Sequence, residues 1–201
     1  MRDLPGTASS RRRALAGSTA LALVFAIGAC GGSGGGAATP PRKEVNPAGD
    51  IPDGQVYVRY APPGYGYSVK VPEGWSRTDA AGAVSFTDKL NSIRLQDATA
   101  ASAPSVAAAR GGELPRLSRS VPGFRGARVS AVSRSAGRAV RITYLARAKA
   151  DPVTGRAGTD AVERYAFFHR GRIAILTLSG PRGADNVDPW RIVTSSLRWS
   201  R

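Results

Sequence analysis

The chain has 201 residues, 29 of them Lys or Arg and 14 Asp or Glu, for a formal charge of +15, with one histidine and one cysteine. A single cysteine excludes an internal disulfide, and a single histidine leaves zinc ligation and histidine-based catalysis without partners. A chain of this length buries enough surface to fold unaided, so its stability has to come from packing alone.

Arg11, Arg12 and Arg13 precede an apolar run from Ala14 to Ala29. A charged start, a short apolar middle and small residues before a cut describe a secretory leader over residues 1–29. The run falls short of the ~20 residues that cross a bilayer as a helix, so it reads as a leader and not a retained anchor. Ile27-Gly28-Ala29-Cys30 resembles the bacterial lipobox. The resemblance implies cleavage before Cys30 and a diacylglycerol thioether on its sulfur, with the membrane held through that covalent lipid on the extracytoplasmic face. Two acyl chains supply the two signals that stable anchoring needs. Ser10 to Leu15 also resembles a degenerate twin-arginine motif that lacks the usual aromatic residue; ordinary secretion and twin-arginine export both stay open.

Residues 30–54 are rich in Gly, Ala and Pro and poor in large apolar side chains, the composition of a flexible tether. From Val56 the pattern changes to short alternating segments, so residues 55–201 read as one domain. Tyr67, Val69 and Val71 alternate with polar residues before a turn at Pro72-Glu73-Gly74, and Val84 and Phe86 form a second alternating set. Asp88 to Ser92 reads as a hairpin turn, followed by Ile93 and Leu95. Ala103 to about Ser118 is a helical candidate with Pro104 at its first position. Gly111-Gly112 and Pro115 interrupt it, so it reads as one helix or two short pieces. Val129 and Ala131 begin a further strand, and Val140, Ile142 and Tyr144 mark a longer one. Asp151 to Gly158 reads as a loop.

The clearest hairpin follows. Val162 to Phe168 rises, His169 to Arg172 turns, and Ile173 to Ser179 returns. The return strand is apolar at successive positions, which predicts a central strand covered on both faces. Asp188-Pro189 predicts an N-cap and a proline at N1 for a closing helix to about Leu197, with Trp190, Val193 and Leu197 on its inner stripe. Strands dominate and short turns join them, so the expected class is α+β: a mainly antiparallel sheet with two packed helices.

Three stretches carry a resemblance: Gly66-Tyr67-Ser68-Val69-Lys70-Val71-Pro72-Glu73-Gly74-Trp75, the Tyr165–Ser179 hairpin, and the closing Asp188-Pro189-Trp190 with Ser196-Leu197-Arg198-Trp199. Together they look like the PsbP-like superfamily and its actinobacterial lipoprotein relatives. The resemblance implies a sheet with helices packed on it, used as a non-catalytic binding or assembly module. It carries over no catalytic residue and no cofactor.

The residues offer little chemistry beside that. His169 sits in a predicted turn next to Arg170 and Arg172, no G-x-S-x-G elbow is present, and no catalytic or metal-ligating set is expected. Asp185 to Asp188 lacks the EF-hand spacing for calcium. Tyr60 and Tyr65, with Tyr57 and Tyr67 around Pro62-Pro63, are the candidates for an aromatic ligand platform; the alternative is that they staple a loop over the sheet. The positive charge lacks the aromatic–basic interleaving of RNA-binding sheets, so nucleic acid is not expected as a partner. The expectation is a lipid-anchored, non-enzymatic binding or accessory protein at the cell envelope, meeting an envelope or transporter protein or an amphiphile. Two other readings stand beside it: an envelope enzyme with an unrecognised site, and adhesion of the basic surface to anionic lipid or wall polymer.

Overall fold

The computed structural model describes residues 48–150 and 155–200. The leader, Ile27 to Cys30, the tether up to residue 47 and part of the loop expected at Asp151 to Gly158 lie outside the described residues.

The strands are β1 (Tyr57–Tyr60), β2 (Tyr67–Pro72), β3 (Ser76–Ala80), β4 (Ala83–Asp88), β5 (Asn91–Thr99), β6 (Arg125–Arg134), β7 (Gly137–Ala150), β8 (Ala157–His169), β9 (Arg172–Pro181) and β10 (Arg198–Trp199). They form a seven-stranded sheet in the order β3-β4-β5-β9-β8-β7-β6 and a three-stranded sheet in the order β1-β2-β10. Every pairing among the described residues is antiparallel. The α+β class expected from the sequence is the one observed. Short turns explain it, because a two-residue connection joins only antiparallel neighbours. Arg170 and Gly171 connect β8 to β9 with φ of 47° and 81°, the paired positive values of the turn that matches strand twist.

The small sheet and the closing helix, α3 (Val187–Ser195), cover one face of the large sheet. Tyr67, Val69 and Val71 of β2 meet Ile93, Leu95, Leu176, Leu178, Tyr165 and Phe167, and Trp190, Val193 and Leu197 complete this main core. The helical stripe predicted from Trp190, Val193 and Leu197 is therefore the buried one. Its start differs from expectation. The helix begins at Val187 after Asn186, whose side chain makes no cap bond, and Asp188 lies exposed in the first turn. Asn186 cannot cap because its amide is engaged elsewhere, on Ile51 N, Gly49 O and Asn91 Oδ1.

The folded body also starts earlier than residue 55. Ile51 is 5% exposed and joins the main core, and Gly49 O accepts from Asn91 and Asn186. A composition poor in large apolar residues hid one isoleucine that packs.

The middle helical segment lies on the other face of the large sheet, over β7 and β8. It is one continuous run: α1 (Val106–Ala108), a π turn (Ala109–Glu113) and α2 (Leu114–Ser120). Ser105 caps it, accepting from Ala108 N at 3.0 Å. The π turn has a local cause. Pro115 has no N–H and its ring would press on the carbonyl of Gly111, four residues back; a wider turn relieves both, and Leu114 N bonds Ala109 O. The extra residue also sets phase. At ~100° per residue, Ala109 and Leu117 would stand ~80° apart on an ideal helix; absorbing one residue brings both onto the buried face.

Candidate functional site

The segment does not cover its side of the sheet fully, and the gap is an apolar groove. Its floor is Val140 and Ile142 of β7, Arg164 and Ala166 of β8, and Ile173 and Ile175 of β9; its roof is Ala108, Ala109, Glu113 and Arg116, with Ala100, Ser102, Ala103 and Pro104 leading in. The groove encloses about 380 Å³, within the range of small-ligand pockets. A second hollow of about 400 Å³ shares Ala103, Pro104, Val140 and Ala166 with it and continues towards Phe168 and Arg138.

The groove corrects the reading of the return strand. β9 is central, between β5 and β8, but only one of its faces is sealed. Ala174, Leu176 and Leu178 are fully buried, whereas Ile173, Ile175 and Thr177 are half-buried. Their apolar character equips a groove floor, because the helical run lies over β7 and β8 and stops short of β9.

A polar cluster is set into the apolar lining. Arg164 Nε donates to Glu113 Oε1 at 2.8 Å, and its Nη1 donates to Thr177 Oγ1 at 2.8 Å and Gln96 Oε1 at 3.3 Å. Arg116 grips the same carboxylate through both oxygens, Nε to Oε2 at 3.0 Å and Nη2 to Oε1 at 2.6 Å. The Arg164 side chain is 12% exposed, that of Glu113 28% and that of Arg116 57%. Burial pushes the Arg164 guanidinium down, against the pull of Glu113. Burial alone would raise Glu113; the hydrogen bond from Arg116 and the Arg164 charge outweigh it and hold the carboxyl below its usual value. Burial also raises the phenol of Tyr144, which stands on the same sheet face. Two arginines share one carboxylate, so the cluster keeps a net positive charge beside an apolar floor. The π turn supplies the carboxylate, since Glu113 is its last residue.

The aromatic candidates lie elsewhere, against the main core. Tyr60 packs edge-on to Phe86 at 5.1 Å with Arg77 over its ring at 5.5 Å. Tyr65 tilts against Tyr67 at 5.9 Å, and burial is the main cause that raises its phenol. Tyr67 donates to Gln96 O at 2.9 Å and is itself buried. Tyr57 is half-buried on the same core. These tyrosines all pack against the main core. His169 is exposed at the end of β8 and stacks on Trp199 at 5.4 Å. Asp185 N bonds Asp50 Oδ1 at 2.9 Å. Among the described residues no group of three or more His, Cys, Asp or Glu side chains is placed to hold a metal, and no helix is long and apolar enough to cross a membrane.

The sequence reading missed Arg164 and Glu113. The signal was there: Arg164 falls on the same alternating face as Val162 and Ala166, where an arginine on an apolar strand face needs a partner, and a glycine pair before a proline marks a helix with an irregular turn.

No protein-family model matches the chain, and no curated protein matches it. Solved structures with a similar arrangement include cyanobacterial PsbP from Synechocystis sp. PCC 6803, at 16% identity over 77% of this chain and 99% of that one, with a TM-score of 0.48. LpqN of Mycobacterium tuberculosis, described as involved in cell envelope biogenesis, is similar at 16% identity over 73% of this chain and 91% of that one, with a TM-score of 0.43. A Bacteroides thetaiotaomicron protein is similar at 14% identity over 71% of this chain, with a TM-score of 0.45, and this chain spans 48% of its length.

Proposed function

We propose that this is a lipid-anchored envelope protein, moored through Cys30, that binds an amphiphile in the groove between the helical run and the large sheet and performs no catalysis. The observation that carries the binding reading is the apolar floor of Ile173, Ile175, Ala166 and Ile142 with the Arg164–Glu113–Arg116 cluster set into it. An apolar body gains ~25 cal/mol per Å² on leaving water for such a floor, and a net positive cluster suits an anionic head. Ile27-Gly28-Ala29-Cys30 supports the mooring. A tethered binding domain meets lipids, or proteins carrying them, at the membrane surface.

The test is titration of the purified full chain with a fluorescent fatty acid. Ala166 lines both hollows, so Ala166→Phe fills them while leaving the cluster intact. Saturable binding by the wild type and its loss in Ala166→Phe are expected, with Arg116→Gln weakening it. Equal binding by Ala166→Phe refutes the groove. For the anchor, Cys30→Ala is expected to move the protein from the membrane to the soluble fraction.

A further inference from the structure

A cleft of about 640 Å³ lies between the small sheet, the end of α3 and hairpin ends of the large sheet at Ser135 and His169. Arg59 of β1 stands directly opposite Lys70 of β2, and Arg198 of β10 directly opposite Ser68. Ser68 and Lys70 are two apart and share a face. Directly opposed residues have Cβ atoms ~4.5–5.5 Å apart, so three cations stand together on three adjacent strands. Arg59 Nη1 donates to Ser68 Oγ at 2.9 Å and to Ser196 O at 3.2 Å, which lays its guanidinium across β2 towards Arg198.

No carboxylate lines this cleft, and none of the three cations has an ion pair among the described residues. The contrast with the groove is direct: there Arg164 and Arg116 share Glu113. Like charges facing each other across an antiparallel pair destabilise it, and an anion between Arg59 and Lys70 would relieve that opposition. A tetrahedral phosphate offers oxygens to all three donors at once. The guanidinium of Arg198 suits it as a fork and Lys70 as a point charge.

We infer that the cleft formed by Arg59, Lys70 and Arg198 is a binding site for a phosphate group, carried by a lipid headgroup or by a soluble phosphate ester. It is independent of the groove: no residue lines both.

The experiment is thermal unfolding of the full chain in detergent, titrated with inorganic phosphate against sodium chloride of equal ionic strength. The wild type is expected to gain Tm with phosphate beyond the chloride control, as a ligand of the folded state must produce. Lys70→Gln is expected to raise the starting Tm, since it removes the opposed charge, and to weaken phosphate binding roughly tenfold. Arg198→Gln is expected to weaken binding by a similar factor, and the double variant to show no phosphate response. Glycerophosphoglycerol and dihexanoyl phosphatidylglycerol separate the sources: tighter binding of the lipid assigns a headgroup, equal binding a soluble ester. A wild type that responds to phosphate no more than to chloride, or a double variant that responds as the wild type does, overturns the site.

Discussion

Asn186 Nδ2 donates to Asn91 Oδ1 at 3.0 Å in the interior, joining the residue before α3 to the first residue of β5. Both side chains turn their remaining capacity on the segment that enters the body. Asn91 Nδ2 and Asn186 Nδ2 donate to Gly49 O at 2.9 and 3.0 Å, and Asn186 Oδ1 accepts from Ile51 N at 2.9 Å. Asn186→Ala orphans Ile51 N and one lone-pair site of Asn91. The expected loss is about 2–3 kcal/mol of stability, seen as a lower denaturant midpoint, with faster amide exchange at Ile51. Unchanged exchange there refutes the fastening role.

Glu113→Gln tests the groove cluster. It leaves Arg164 largely buried without its counter-charge, and removing one partner of such a pair is costly. Because Glu113 is partly exposed, the expected loss is about 2–3 kcal/mol. The pH dependence has a fixed sign. The folded carboxyl lies below its ordinary value of 4.5, so the pair contributes fully above that value and is lost as pH falls through the lower folded pKa. Chemical denaturation from pH 7 to 3 is expected to show this fall in the wild type and a flatter profile in the variant.

Neighbouring residues of β9 probe the two faces of the sheet. Leu176 is fully buried, and Leu176→Ala is expected to cost about 3–4 kcal/mol through the cavity it leaves. Ile175 already borders open space in the groove, so Ile175→Ala is expected to cost about half as much. Equal losses in urea unfolding contradict the unsealed face.

Gly66 is expected to resist substitution. Its φ is +70°, and a Cβ there stands 2.6 Å from Arg172 Nη1. Arg172 in turn donates to Gly64 O at 2.6 Å. Gly66→Ala costs about 1–2 kcal/mol for the left-handed backbone, and more if Arg172 is displaced. A melting temperature equal to wild type contradicts this.

Alternation made most strands legible, because one buried face stamps a period of two on residues such as Val140, Ile142 and Tyr144. It failed for β3 (Ser76–Ala80), whose five residues are all exposed at the sheet edge, so burial stamped nothing on them. It failed for β1 (Tyr57–Tyr60) because Arg59 and Val58 are both exposed. The hairpin expected over Asp88 to Ser92 is tighter in the structure: Lys89 and Leu90 alone make the turn, with Lys89 at φ 49°. The groove was not legible as a site, since its floor and roof come from segments distant in sequence; the apolar residues of β9 predict burial equally well on a sealed face or an open one. The Asp188 cap misled because the helix starts one residue earlier, at Val187, which puts Asp188 inside its first turn.

The widened turn of the helical run gives the roof of the groove a spare residue. Gly111 and Gly112 stand in open space, where even an added Cβ meets nothing within 4 Å. Removing one of them would wind the turn back to regular pitch and leave Leu117 seven regular residues from Ala109, on the same buried face. Leu117 would keep its seat, but the ring of Pro115 would again press on the carbonyl four residues back, while the sheet beneath kept every rung of its ladder. The spare residue thus accommodates a proline inside the roof without shifting which side chains the roof sets on the sheet.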